Sequence, residues 1–462
     1  MHYHAYEMAH ALVGPARIAA RATRTFLDLA MPQPVRGWGF QNLMAGLEFF
    51  DDMTRRYGKP EFGLSSTQIH GLSVPIREEI VMQKTFCDLL HFDRDEKVAG
   101  KRYDPKVLIV APLSGHYATL LRGTVQAMLP EHNLYITDCR AAREVPLALG
   151  RFDFEDFVDY VIEFLQFLGP NTHVIAVCQP SVPVLAAAAV MAARGDPARP
   201  VSLTLMGGPI DTRRNPTVVN KLATEKPMSW FRDNVISQVP FPNPGFMRRV
   251  YPGFMQLTGF MTMNLERHTN AHIGLFDSLV KGDHDTVAQY RRFYDEYLAV
   301  MDLTEEFYLQ TVETVFKAHL LPDGMLRHRG ELVDCRAITD TALLTIEGEK
   351  DDICGLGQTE AAQDLCRSIP VDEKYHYVQQ GVGHYGVFNG TRWRTEIQPR
   401  IREMIRTVQF KRRVGSTGVT VGLPYRSLHE NREEIVEFGT PANGPVKGAA
   451  GPKAGPKSAG LS

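Results

Sequence analysis

The sequence predicts an α/β protein: a doubly wound, mostly parallel sheet with a helical cap insertion. Three observations carry this. Strands are expected at 201–206 and 374–378, and the short apolar runs at residues 107–112 (VLIVAP), 134–137, 174–177 and 342–346 lack the period-two alternation of a half-exposed strand. They suit strands buried on both faces. Segments of helical spacing separate most of them, with short loops, which is the pattern of a sheet covered by helices. Between residue 215 and about 335 the alternation lapses into a stretch rich in Met, Phe, Tyr and Pro, then resumes. An insertion at that point would sit over the carboxyl ends of the strands, where such sheets place their active groups.

Taken in order, residues 15–30 form an amphipathic pattern, with Ile18, Ala22, Phe26 and Leu29 on one side and Arg17, Arg21 and Arg24 on another. Such a helix could rest on a hydrophobic particle with its arginines outward, although packing on the main domain is the stronger expectation. His2 and His4 allow a metal reading, but an untethered pair near a terminus is usually just solvent-exposed. A second helix is expected over 41–57, and 58–105 carries no legible motif, so residues 1–100 are taken as an N-terminal helical extension. The core is assigned to 101–214 and 336–412, and the cap to 215–335. Phe154, Phe157, Val158, Val161, Ile162, Leu165 and Leu168 recur at helical spacing behind Asp153, Glu155 and Asp156, and Gly169 ends that helix. Helices are also expected over 184–194, 285–318, 359–368 and 395–410. From 413 the chain reads as a tail, disordered at least from 439, where Gly, Pro, Ala and Lys leave nothing to bury.

Composition bounds the function. With 51 Lys and Arg against 53 Asp and Glu, the net charge of −2 carries no nucleic-acid footprint. Six cysteines (87, 139, 178, 335, 354, 366) show no CxxC pair and no zinc spacing. In a chain of 462 residues they read as reduced thiols, and neither a metal nor a cofactor is expected. With no apolar run of membrane-span length and no signal-peptide pattern, the expected location is cytoplasmic.

The chemistry gathers around residues 172–183 (THVIAVCQPSVP). A buried strand ends at Cys178, and the Ala-rich helix that follows opens on Pro180 and Pro183, both tolerated in a first helical turn. Free N–H groups and the helix dipole at such a start stabilise a thiolate. The pattern departs from the G-x-S-x-G elbow: Cys replaces Ser, Ala176 stands two before it and Pro180 two after. Asp351 and Asp352 follow one later strand, and His384 follows the last. Nucleophile, acid, histidine is the chain order of α/β-hydrolases, so the fold class sharpens to that fold. Cys178 would attack a carbonyl, His384 would carry the proton and Asp351 would fix the imidazole. Asp352 remains a rival acid. His116 is a rival histidine that precedes the elbow and better suits the oxyanion loop or the substrate. The oxyanion donors would be the Gln179 backbone N–H and one from the loop near Ser114. His116, Tyr117 and Tyr385 are candidate substrate contacts.

The segments APLSGHYATLLRGTV, YITDCRAAREVP, VIAVCQPSVPVLAAAA, LTLMGGPIDTRRNPT, GEKDDI and GVGHYGVFNG resemble those of intracellular poly(3-hydroxybutyrate) depolymerases. The resemblance spans the chain before the tail. It implies a Cys–Asp–His triad at Cys178, Asp351 and His384, a thioester acyl-enzyme, and release of 3-hydroxybutyrate oligomers and monomer from amorphous storage polyester. It also implies a polyhydroxyalkanoate granule surface as partner, and a cytoplasmic, granule-associated location. Polyhydroxyalkanoate synthases are the enzymatic rival, but glycines flank their cysteine where Ala176 and Pro180 stand here. A non-catalytic granule-binding protein is the rival of another class. A dienelactone-type esterase fits poorly with so large an insertion.

Overall fold

The computed structural model describes residues 2–31, 37–263 and 265–417. Nine strands form its central sheet: β1 (Ser66–Ile69), β2 (Leu72–Gln83), β3 (Cys87–Arg94), β4 (Lys106–Val110), β5 (Asn133–Cys139), β6 (Thr172–Val177), β7 (Ser202–Met206), β8 (Ala342–Gly348) and β9 (Lys374–Gln379). Their spatial order is β1-β2-β3-β5-β4-β6-β7-β8-β9. From β5 onward neighbours run parallel, while β1, β2 and β3 join antiparallel. The apolar runs become the parallel strands, and β6 and β7 are buried at every residue.

The helices that matter below, in chain order, are α1 (His2–Ala30), α2 (Trp38–Thr54), α3 (Phe154–Leu168), α4 (Ser181–Ala193), α5 (Val218–Glu225), α6 (Met228–Asn234), α7 (Gly253–Met263), α8 (Leu265–Lys281), α9 (His284–Tyr297), α10 (Glu305–Thr311) and α11 (Gln398–Thr417), with shorter ones at Glu96–Ala99, Arg122–Met128, Ala361–Leu365 and Gly390–Arg392. A capping box of Asp153 and Asp156 starts α3, and Gly169, at φ +74°, ends it. Helix α4 is buried over eleven of its thirteen residues, because its alanines let it lie close against the sheet. Helices α5 to α10, with a small three-stranded sheet of 237–238, 249–251 and 303–304, lie between β7 and β8.

Several expectations need correction. Residues 1–100 are not a purely helical extension, since β1, β2 and β3 extend the central sheet. Strand β2 hides its nature by carrying Arg77, Glu78 and Glu79 in mid-strand and a register shift between Ile80 and Met82. Arg77 pairs directly across to Asp93 at 3.0 Å. Helix α1 begins at His2 rather than near Pro15, which lies in its interior. The arginines of α1 turn toward α2, with Arg21 still 56 % exposed: Arg17 donates to the Thr54 carbonyl at 2.7 Å, Arg21 meets Asp51 at 2.7 Å and Arg24 meets Glu48 at 3.2 Å. Not all six cysteines are free, because Cys87 and Cys139 face each other across β3 and β5 and form a disulfide. Their 52-residue separation gives no hint of that pairing. Helix α11 runs to Thr417, so the chain is helical beyond 413, and the rest of the expected tail lies outside the described residues. No described helix is long and apolar enough to cross a membrane.

Candidate active site

Strand β6 ends at Val177, and the next residue, Cys178, takes φ +67°. A side-chain-bearing residue in that left-handed region is strained, and such strain gathers at functional turns. Two hydrogen bonds hold the turn. The Cys178 N–H donates to the Met206 carbonyl at 2.7 Å, and the Ser181 N–H donates to the Cys178 carbonyl at 3.1 Å. Two glycines after β7 make room for it. A Cβ on Gly208 would fall 2.0 Å from Ser181 Oγ. A Cβ on Gly207, itself at φ +56°, would fall 3.2 Å from His384 Cε1 and 3.4 Å from Asp351 Oδ2.

Of the two adjacent acids after β8, Asp351 is the one that turns inward. Its Oδ1 accepts the backbone N–H groups of Ile353 at 2.9 Å and Cys354 at 2.8 Å, which aims Oδ2 at His384. The Nδ1–H of His384 donates to that oxygen at 2.7 Å, and the Asp351 side chain is fully buried. Asp352 is exposed. His384 follows β9 at the start of a short 3-10 turn, His384–Val387. Burial pushes its imidazole down, but the Asp351 carboxylate and Cys178, through charge and hydrogen bonding, outweigh that and hold it well above the ordinary range. Asp351 and His384 are therefore hydrogen-bonded, and His384 shares one cavity wall with Cys178.

That cavity measures about 330 Å³. Its floor includes Ser114, Cys178, Gln179 and His384, and its roof comes from the insertion, among others Phe231, Phe260, Met263 and Phe307. Among the described residues no Lys, Arg, Asp or Glu lines it. Among the described residues, the backbone N–H groups of Gln179, Leu113 and Ser114 donate to no partner, so they are free for a ligand oxygen. His116 lines the cavity without meeting the acid. It bonds the Tyr297 carbonyl through Nε2 at 3.1 Å, and burial lowers its imidazole to about 4, so it is neutral near pH 7. Tyr385 lines the cavity beside Tyr297.

Tyr117 does not fit its expected role. It is 2 % exposed, belongs to the main apolar core and is not part of the cavity wall. Gly115, at φ +105°, turns the loop so that His116 reaches the cavity and the next side chain enters the core. Two groups escaped the sequence reading. Gln256 on α7 is 5 % exposed and lines the cavity, and its Nε2 has no partner. The Gln179 side chain, also buried at the cavity, leaves both amide atoms unpaired. Nothing local marks Gln256, since it lies 78 residues past Cys178 and meets the site only through the fold. Among the described residues no group of three or more His, Cys, Asp or Glu side chains is placed to hold a metal ion.

Residues 207–409 match the family described as PHB de-polymerase C-terminus. That span takes in Asp351 and His384 and begins after Cys178. No curated protein matches the chain. Among solved structures, a monoacylglycerol lipase from Paleococcus ferrophilus is similar over 66 % of this chain and 96 % of its own, at 12 % identity and a TM-score of 0.39. A thermophilic esterase from Thermogutta terrifontis is similar over 74 % of this chain and 97 % of its own, at 15 % identity and a TM-score of 0.37. A 2-hydroxy-6-oxo-6-phenylhexa-2,4-dienoate hydrolase from Rhodococcus sp. strain RHA1 is similar over 72 % and 99 %, at 13 % identity and a TM-score of 0.37. Residues 207–409 are thus similar to the PHB de-polymerase C-terminus, and the sheet order with the turn at Cys178 is that of an α/β-hydrolase fold.

Proposed function

We propose that this ester hydrolase cleaves amorphous poly(3-hydroxybutyrate) or a related storage polyester, through a thioester on Cys178, and releases 3-hydroxybutyrate oligomers and monomer. The observation that carries the reading is the Asp351–His384 pair beside Cys178 at the floor of a largely apolar cavity. In the first half-reaction His384 takes the Cys178 thiol proton, the sulfur attacks the ester carbonyl carbon, and the C–S bond forms as the carbonyl oxygen takes up charge. The N–H groups of Gln179 and of the loop at Ser114 receive that oxyanion. His384 gives its proton to the departing alkoxide as the C–O bond breaks, and Asp351 keeps Nδ1 protonated and offsets the imidazolium charge. In the second half, His384 takes a proton from water, the hydroxide attacks the thioester, and the sulfur leaves.

Among the described residues the cavity wall holds no Lys or Arg to meet phosphate groups, which weighs against an acyl-CoA substrate. Under this reading the partner is the surface of a polyester granule inside the cell. The test is to incubate the purified protein with protein-free amorphous polyester particles and measure free 3-hydroxybutyrate. Release that disappears in Cys178→Ala and His384→Ala supports the proposal. Equal release from Cys178→Ala would overturn the nucleophile assignment, and no release from the wild type would overturn the substrate.

A further inference from the structure

Helix α1 is turned inside out for a surface helix. Its cationic face meets the protein: Arg17, Arg21 and Arg24 bond to α2, Tyr3 OH donates to Asp302 at 2.7 Å, and Tyr6 stacks on Phe254 with ring centres 4.2 Å apart. What it turns outward is apolar. Met8, Leu12, Ile18, Phe26 and Leu29 are between 64 and 83 % exposed. At roughly 100° per residue these five fall within an arc of about 120°, opposite the arginines. No Lys, Arg, Asp or Glu of α1 falls on that arc. Burying such a row is favourable and exposing it is not, so the face calls for an occupant.

We propose that the outward face of α1 is the surface by which the protein settles onto an uncharged, water-insoluble polyester phase. The identity of that phase rests on the function proposed above, while the docking face rests on the exposure of α1. Two arguments select the occupant. A helix of this length presents an outward strip on the order of 400 Å², at ~1.5 Å rise per residue and ~10 Å width. That is well short of the roughly 800 Å² per partner of a stable specific interface, so a second copy is a poor match. An anionic bilayer is also a poor match. Helices that lie on such membranes carry free Lys and Arg beside the apolar face, whereas these arginines are already held by Asp51, Glu48 and the Thr54 carbonyl. A neutral apolar surface asks only for the strip that is there.

The experiment compares the wild type with Leu12→Glu/Ile18→Glu/Phe26→Glu, and with the single variant Ile18→Glu. Each is sedimented with protein-free amorphous poly(3-hydroxybutyrate) particles, with phosphatidylcholine vesicles and with phosphatidylserine-containing vesicles. Hydrolysis of a soluble short-chain ester certifies the folded active site in every sample. The expected result is at least a tenfold loss of particle binding in the triple variant and a smaller loss in the single one, with soluble-ester hydrolysis unchanged. Particle binding retained by the triple variant would overturn the proposal. So would a wild type that prefers anionic vesicles, or one whose carboxylate variants change only its sedimentation from dimer to monomer. A wild type that binds particles through α1 yet releases no 3-hydroxybutyrate would sink the function proposed above and leave this surface standing.

Discussion

Replacing Gly207 by alanine tests the placement of His384 without touching a reacting group. Gly207 lies at φ +56°, so an L side chain there costs about 1–2 kcal/mol of backbone strain. The new Cβ would also stand 3.2 Å from His384 Cε1 and 3.4 Å from both His384 Nδ1 and Asp351 Oδ2. Contacts that close force the imidazole or the carboxylate to yield by a few tenths of an ångström. If a misplacement of ~1 Å costs about a hundredfold in rate, a third of that costs roughly three- to tenfold. Gly195→Ala is the matched control: its φ is +64°, and nothing lies within 4 Å of the added Cβ. The assay pairs chemical denaturation with kcat on a soluble ester. Both variants should lose about 1–2 kcal/mol of stability, and only Gly207→Ala should lose rate. Full kcat in Gly207→Ala would refute the reasoning, because the imidazole position would then not matter to turnover.

Three further outcomes follow from the same contacts. Burial lowers the His384 imidazole, yet Asp351 and Cys178 raise it well above its ordinary value, so the imidazolium is lost only as pH climbs through that raised value. Asp351→Asn should therefore move the alkaline limb of the kcat profile to lower pH, and an unmoved limb would deny Asp351 its role. Tyr3→Phe removes the hydrogen bond to buried Asp302 that pins the start of α1, and denaturation should show a loss of about 1.5–3 kcal/mol; no loss would mean that α1 is anchored elsewhere. Gln256→Leu removes an unpaired buried amide from the cavity roof. Stability should hold or rise while KM for an oligomeric ester increases several-fold, and an unchanged KM would mean that the amide does not meet substrate.

Much of the parallel part of the sheet was legible because a strand buried on both faces needs a largely apolar run, as in β4, β6 and β8. Strands β1 to β3 were not legible, for the opposite reason. At an antiparallel edge, charged residues such as Arg77 and Glu79 face solvent, and the shift at Ile80–Met82 breaks the alternation. The start of α1 was misread because Pro15 looks like a first-turn residue, whereas packing by Tyr3 and Tyr6 carries the helix back to His2. Pattern alone also gave the two faces of α1 but not which would be buried. That was settled by Glu48 and Asp51 on α2, acids that only the folded chain brings to Arg24 and Arg21.

At the site, chain order located the cysteine, the acids and the histidine. The choice between Asp351 and Asp352 turned on two backbone N–H groups, those of Ile353 and Cys354, that hold one carboxylate inward. Tyr117 and Gln256 mark the limit of such reading. One is turned away by a single residue of loop geometry at Gly115, and the other is delivered by a helix from the insertion.

The most direct measurement is to quench the enzyme during turnover of a short 3-hydroxybutyrate oligomer at low pH, digest it, and weigh the peptide that contains residue 178. The account predicts a hydroxyacyl adduct on that sulfur, more abundant in His384→Ala if deacylation slows more than attack, and absent in Cys178→Ala. Oligomer cleaved at full rate with the adduct on another residue, or with none even when turnover is slowed, would contradict it.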